Sequence, residues 1–537
     1  MNRLRGTSAL TGLALRRDRF KLAAYILGPA ALTAGMLALW RGERHELIVD
    51  EVHSFATTPA LRLFGVASGA SVGGVFMIRG YLLLAVLAAL MSTFTIIRHT
   101  RQNEELGRAE LVGAAVVGRH AGLAAASIVA IAGNLALAAT LALIGIANGL
   151  PTTGSLMAGL AVGAFGVVFA AVAAVTAQLS STTRGASGLA AAVLGVAFAV
   201  SGLGNMLGHA DAGGQRLVSA WPVWLSPLSW GQQMRPFGGD YTWPLGLFAT
   251  AAVLLLAAPS VLATRRDVGR GILADRRGHA VAAPSLLSPL GLLMRLQRAA
   301  LLGWAAGLIG FGLIFGAVIE QVPTGATAEW YTRMGGSDQI TDAYCASMLA
   351  MAGMTAALYA VQVMLRLRAE EADGRLEPIL ATAISRRRWL ISHILNAGLG
   401  ALLLLLVFAT SMGLTAGLVL DDVPGELRTL LAGALVQLPG TMVIIGLVVA
   451  ADALLPRWAT VVSWTAVTAF ILLGPLFGAA TFRLPRWAQD LSPFSHIPKV
   501  PAAEFAAIPV ASLVALASVL AAAGLAAFRR RNLTLPV

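Results

Sequence analysis

Two stretches, Arg101-Gln-Asn-Glu-Glu-Leu-Gly-Arg-Ala-Glu110 and Arg368-Ala-Glu-Glu-Ala-Asp-Gly-Arg-Leu-Glu377, carry one pattern of charges at one constant offset. Arg101, Glu104, Gly107, Arg108, Glu110 and Arg119 return as Arg368, Glu371, Gly374, Arg375, Glu377 and Arg386. Each copy follows a long apolar run and precedes another, so each reads as a charged loop between two membrane spans. Glu104 and Glu371 stand four residues before Arg108 and Arg375, the favoured order for an ion pair along a helix continuing out of the preceding span. Gly107 and Gly374 permit a bend within that turn. Pro378, where the first copy has Leu111, suits the start of a new short helix. The motif therefore predicts a helix end, a bend, and a short helix lying across the membrane face. Arginines alone would serve to fix topology, but the acids match as well, and orientation does not need them.

Composition points to lipid independently. With 57% hydrophobic residues, 12% charged residues and a mean hydropathy of +0.76, the chain cannot cover a soluble core with polar surface. The single Cys345 excludes internal disulfides, and its apolar surroundings make it a packing residue rather than a nucleophile or metal ligand. No metal site is expected.

Residues 1–21 are basic and lead into a first span at about 22–40, with no short apolar segment and small-residue cleavage site of the kind a signal peptide carries. An acidic segment with Glu43, Glu46, Asp50 and Glu51 follows. Further spans are expected at about 76–97, 121–147, 155–179, 187–208 and 243–263. A basic connector at 264–299 precedes a second set at about 300–319, 344–364, 391–418, 429–451, 460–478 and 506–528. Leu225-Ser226-Pro227 recurs as Leu491-Ser492-Pro493, and Arg16 and Arg19 recur as Arg295 and Arg298. These landmarks keep one order, which indicates a tandem duplication: six spans in 1–263, the connector at 264–299, and six more in 300–537. An even number of spans per half gives two parallel repeats.

Placing both termini and both charged loops on the cytoplasmic side puts most of the 39 Lys and Arg there and leaves acids in excess opposite. That asymmetry also accounts for the sequence pI near 11.0 without nucleic acid, since the bases are scattered beside spans rather than gathered on one soluble face.

In these residues the chain resembles fused ABC-2-type permeases, and more narrowly the twelve-span membrane subunits of actinobacterial exporters of tetronasin-type polyketide antibiotics. The resemblance covers essentially the whole chain. It implies an all-α polytopic fold in a bacterial cytoplasmic membrane and an exporter of hydrophobic drug-like or polyketide compounds. It also implies two coupling helices shaped by Arg101, Glu104, Gly107, Arg108 and Glu110 and by Arg368, Glu371, Gly374, Arg375 and Glu377. Each would seat in a separate ABC ATPase subunit, so two ATPase copies would serve one permease and would bind the ATP and magnesium. Cargo of lipid or glycan is the alternative. The copies differ at Leu111, Gly118 and His120 against Pro378, Ser385 and Arg387, so the two docking sites need not be equal.

The chain cannot supply the ATPase. A phosphate-cradling loop needs Gly-Lys-Ser/Thr, whereas the only lysines, Lys21 and Lys499, are followed by Leu22 and Val500. It is therefore read as a permease without enzymatic activity of its own. Ion coupling would require ionisable groups at membrane depth, and the spans as drawn contain essentially none. Their polar residues are neutral, such as Asn134, Gln178, Asn205, Gln362 and Gln437, and Arg79 and Glu320 lie near span ends. A lipid-linked transferase would use acids such as Glu46, Asp50, Glu51, Asp421 and Asp422, or His496, but none lies in a catalytic motif.

Met348, Met351 and Met354 on successive turns, with Tyr359 and Gln362 beyond, are candidates for a substrate path, against the plainer reading of helix packing. At the two Leu-Ser-Pro sites, Ser226 and Ser492 are expected to cap short interfacial helices begun by Pro227 and Pro493. The resemblance implies that such re-entrant helices close the outer end of the pathway.

Overall fold

A computed structural model describes residues 4–40, 45–262, 269–273, 281–321, 326–335, 339–372, 374–479 and 484–531. Much of the connector, including Arg265, Arg266, Arg276 and Arg277, lies outside them. The chain divides into two compact units, Met1–Gly278 and His279–Val537.

In the first unit the helices are α1 (Thr7–Trp40), α2 (His45–Thr57), α3 (Pro59–Arg62), α4 (Val72–His99), α5 (Arg101–Glu105), α6 (Arg108–Gly113), α7 (Ala121–Ala147), α8 (Thr152–Leu179), α9 (Thr183–Met206), α10 (Pro227–Gln233) and α11 (Pro244–Leu262), with a hairpin of β1 (His209–Ala210) and β2 (Leu217–Val218) after α9. The second unit has α12 (Pro289–Ala317), α13 (Ala326–Gly335), α14 (Ile340–Met364), α15 (Arg366–Ala372), α16 (Leu376–Leu380), α17 (Arg386–Val419), α18 (Val423–Leu454), α19 (Ala459–Leu473), α20 (Arg486–Gln489) and α21 (Ala507–Arg530). Among the described residues, eleven helical segments are long and apolar enough to cross a bilayer. The twelfth expected span is α11, whose 19 residues extend about 28 Å, close to the ~30 Å of a hydrocarbon core. The chain is an all-α, multi-pass membrane protein.

The units repeat one packing plan. The first long helix packs on the third, the third on the fourth, the second on the third and fourth, and the sixth on the fourth: α1, α4, α7, α8 and α11 in one unit, α12, α14, α17, α18 and α21 in the other. Lipid offers no hydrophobic drive between helices, so small residues and polar ties do this work. A Cβ on Gly159 would lie 2.3 Å from Ala138 O, and one on Gly163 2.9 Å from Asn134 O, so bare glycines let α8 close on α7. Asn134 donates from Nδ2 to Ser92 Oγ at 2.7 Å, tying α7 to α4.

Three boundaries depart from expectation. Helix α1 begins at Thr7 and takes in the basic segment expected to precede the span. Asp18 within it is buried, 3.1 Å from Arg98 and 2.6 Å from His99. Helix α12 begins at Pro289 rather than near 300, with Ser288 accepting from Gly291 N. The α-helix of the eleventh span stops at Leu473 and continues as a π turn over Pro475–Ala479, since Pro475 cannot donate the next helical bond.

The acidic segment after α1 is the helix α2, whose buried Ile48, Val52 and Phe55 share one helical face. It packs with Val66, Ala67, Val75, Ile78 and Leu217 into a small core of its own. Arg62 is buried there and donates to Ala56 O, Thr57 O and Gly208 O at 2.9, 3.0 and 2.7 Å. Desolvation lowers its pKa from the ordinary arginine value. Arg79 does not simply reach for water at a span end: it pairs with the buried Glu51 at 2.5 Å.

Candidate functional site

Both charged loops form the expected helix, bend and short helix. Helix α5 ends at Glu105 with Leu106 as its C-cap, Gly107 takes φ +70°, and α6 starts at Arg108. In the second unit Gly374 takes φ +69° between α15 and α16. Only glycine enters this left-handed region without a steric penalty, and no atom lies within 4 Å of where a Cβ on Gly107 would stand. The glycine is therefore required by the backbone and not by crowding.

The ion pairs differ from those predicted. Glu104 does not meet Arg108. It pairs with Arg101, three residues earlier, at 2.8 Å, because the bend at Gly107 carries Arg108 off the helix that holds Glu104. In the second copy Glu371 likewise lies 3.1 Å from Arg368 and also pairs with Arg531. The register is i to i+3 in both halves, where i to i+4 was expected.

These pairs are not surface features. The Arg101 side chain has 0% exposure, and it donates to Ala177 O from Nε at 3.1 Å and from Nη2 at 2.8 Å. Glu371 is 2% exposed on its side chain. Glu105, which the sequence did not single out, accepts from Thr183 N at 3.0 Å and from the Thr183 hydroxyl, and so caps α9.

What the first loop presents outward is Arg108 and Glu110 with Leu106, Leu111, Val112 and Val116. Leu111 is 77% exposed. The second loop is different. Leu376 is buried, Ile379 and Leu380 pack against the core, and Arg375, Glu377 and Pro378 face outward.

Near-membrane ionisable groups are more numerous than the sequence reading held. His393, two turns into α17, is fully buried, 3.6 Å from Glu370 and edge-on to Trp389. Glu370 in turn takes Arg366 at 3.1 Å. In the first unit Asp18 pairs with Arg98 and His99, and in the second Asp452 pairs with Arg531.

At the Leu-Ser-Pro sites the serines do something the capping rule did not anticipate. Ser226 precedes α10 but makes no side-chain cap, and instead donates to Ala197 O of α9 at 2.6 Å. Ser492 donates to Phe470 O of α19 at 2.7 Å while accepting from Phe494 N at 3.3 Å. Each ties its turn to the fifth long helix of its unit. Pro227 starts the expected α-helix, whereas Pro493 starts a single 3-10 turn, Pro493–His496.

Of the candidate path residues, Met348, Met354 and Tyr359 are buried within the core of the second unit. Met351 is half-buried, and Gln362 accepts from Trp304 Nε1 at 2.8 Å.

Residues 286–529 match the family described as Multidrug efflux system permease Rv1217c, C-terminal domain. Over 540 aligned residues the chain is 38% identical to the Multidrug efflux system permease protein Rv1217c of Mycobacterium tuberculosis (strain ATCC 25618 / H37Rv), covering 98% of this chain and 95% of that protein. The chain belongs to the multidrug efflux system permease family. The permease is thus the membrane subunit of an efflux transporter.

Proposed function

We propose that this permease is driven by an ABC-type ATPase seated on the two charged loops, with ATP and magnesium bound by that partner. Two loops per chain suit two ATPase copies. The orientation that follows puts the loops and both termini in the cytoplasm and the protein in the bacterial cytoplasmic membrane. Hydrophobic drug-like compounds, polyketide antibiotics among them, are the proposed cargo. The relative's multidrug efflux description supports that class.

The observation that carries the reading is the tip of the first loop. Leu106 and Leu111 stand bare at 54% and 77% exposure beside Arg108, which has no ion pair among the described residues. Exposed apolar side chains rimmed by unpaired charge mark a surface that another protein covers. Leu111→Glu tests it. Burying an unpaired carboxylate costs several kcal/mol, so the ATPase should no longer co-purify while the permease remains at normal membrane abundance. Undiminished co-purification would refute docking at this tip.

A further inference from the structure

We infer that Arg101 and Arg531 are positioning residues that lock each charged loop to the end of the fourth long helix and to the chain that follows the sixth, so that loop and bundle move as one body. The inference rests on the ATPase-driven reading given above.

In the first unit the lock is made from the loop. Arg101 reaches Ala177 O near the end of α8, Arg270 O at 3.1 Å beyond α11, and Glu104 on its own helix. Glu104 then accepts from Gly269 N at 3.3 Å. Ile272 N and Leu273 N donate to Gln178 O and Leu179 O at 3.1 and 2.9 Å, closing the last carbonyls of α8. A guanidinium is well suited to such a place, because the carbonyl end of a helix carries partial negative charge.

The second unit joins the same three elements with other chemistry. Here the arginine is on the segment after the sixth long helix. Arg531 pairs with Glu371 of α15 and, at 3.3 Å, with Asp452 near the end of α18. Its guanidinium lies over the Phe528 ring, 5.3 Å from the centroid, and its carbonyl accepts from Arg386 at the start of α17 at 2.8 Å. The positive charge has moved from loop to tail, yet the junction is kept. The side chains at the centre of each junction are buried, with Arg101, Glu371 and Asp452 at 0%, 2% and 5% exposure. They therefore cannot serve as the contact with a partner; what they can do is hold the loop rigid while an exposed tip is pushed. Loss of Arg531 would take the ion-pair partner from the buried Asp452, loss of Arg101 would remove the donor to Ala177 O and Arg270 O, and either would let the loop move without the helices.

The experiment compares wild type, Arg531→Gln and Arg531→Lys as the full complex in liposomes, reading both ATP hydrolysis and molecules transported per ATP. Arg531→Gln should keep hydrolysis and lose transport per ATP by about 10-fold, within the usual range of coupling between sites. Arg531→Lys, which retains the charge, should recover most of it. Wild-type transport per ATP in the Gln variant, or equal loss in both variants, would overturn the inference. Should the Gln variant fail to accumulate, Glu371→Cys with Arg531→Cys in a Cys345→Ala background, joined through two reducible disulfides by a short bis-methanethiosulfonate, decides it. Transport should persist across the closed link, and loss on linking with recovery on reduction would overturn the lock. A wild-type complex with no ATP-dependent transport would instead refute the ATPase-driven reading.

Discussion

Substituting Gly107 by alanine isolates the bend from everything around it. A Cβ there meets no atom within 4 Å, so the cost arises from φ +70°, about 1–2 kcal/mol for an L-residue in the left-handed region. That is small against the stability of a whole membrane protein but large for one turn. It shifts the local preference between bent and continued helix by roughly 5–30-fold. Gly149 offers a matched control. It takes φ +83° with no atom near its Cβ, and lies in the turn between α7 and α8. Gly107→Ala and Gly149→Ala should therefore lower thermal stability alike, while drug efflux at equal membrane abundance falls only in Gly107→Ala. Gly107→Asn should recover part of the efflux, since asparagine tolerates the left-handed region better. Equal efflux in the two alanine variants would refute the claim that the bend aims the tip.

The tie made by Ser226 and Ser492 predicts that Ser226→Ala and Ser492→Ala each lose about 1 kcal/mol. Thermal unfolding in detergent would show it, and an unchanged midpoint in either would remove the tie from the account. The proposed orientation predicts that cysteines placed at Ala115 and Ala381 resist an impermeant thiol reagent added outside intact cells. Labelling at either position would reverse the orientation.

The periodic and repeated parts of the fold were readable from the residues. Apolar runs gave the spans because the bilayer sets their length, and the constant offset between Arg101 and Arg368 marked the two loops that share one bend. The bend at Gly107 and Gly374 was legible because glycine has a backbone meaning independent of its neighbours. The partner of Glu104 was not. Helical spacing pointed to Arg108, but the same glycine that bends the chain removes Arg108 from reach. The anchoring of Arg101 was not legible either, because its acceptors, Ala177 O and Arg270 O, are backbone atoms distant in sequence and carry no side-chain signal. The same holds for Ser226, whose acceptor Ala197 O belongs to a helix 29 residues earlier.

The central claim is that motion delivered to the two loops by ATP hydrolysis drives export. The most direct measurement is transport of a fluorescent hydrophobic drug by the purified permease in liposomes, with and without its ATPase partner. The account predicts transport that requires both the partner and hydrolysable ATP and that proceeds with no ion gradient. Transport by the permease alone, driven by an imposed proton or sodium gradient, would contradict it.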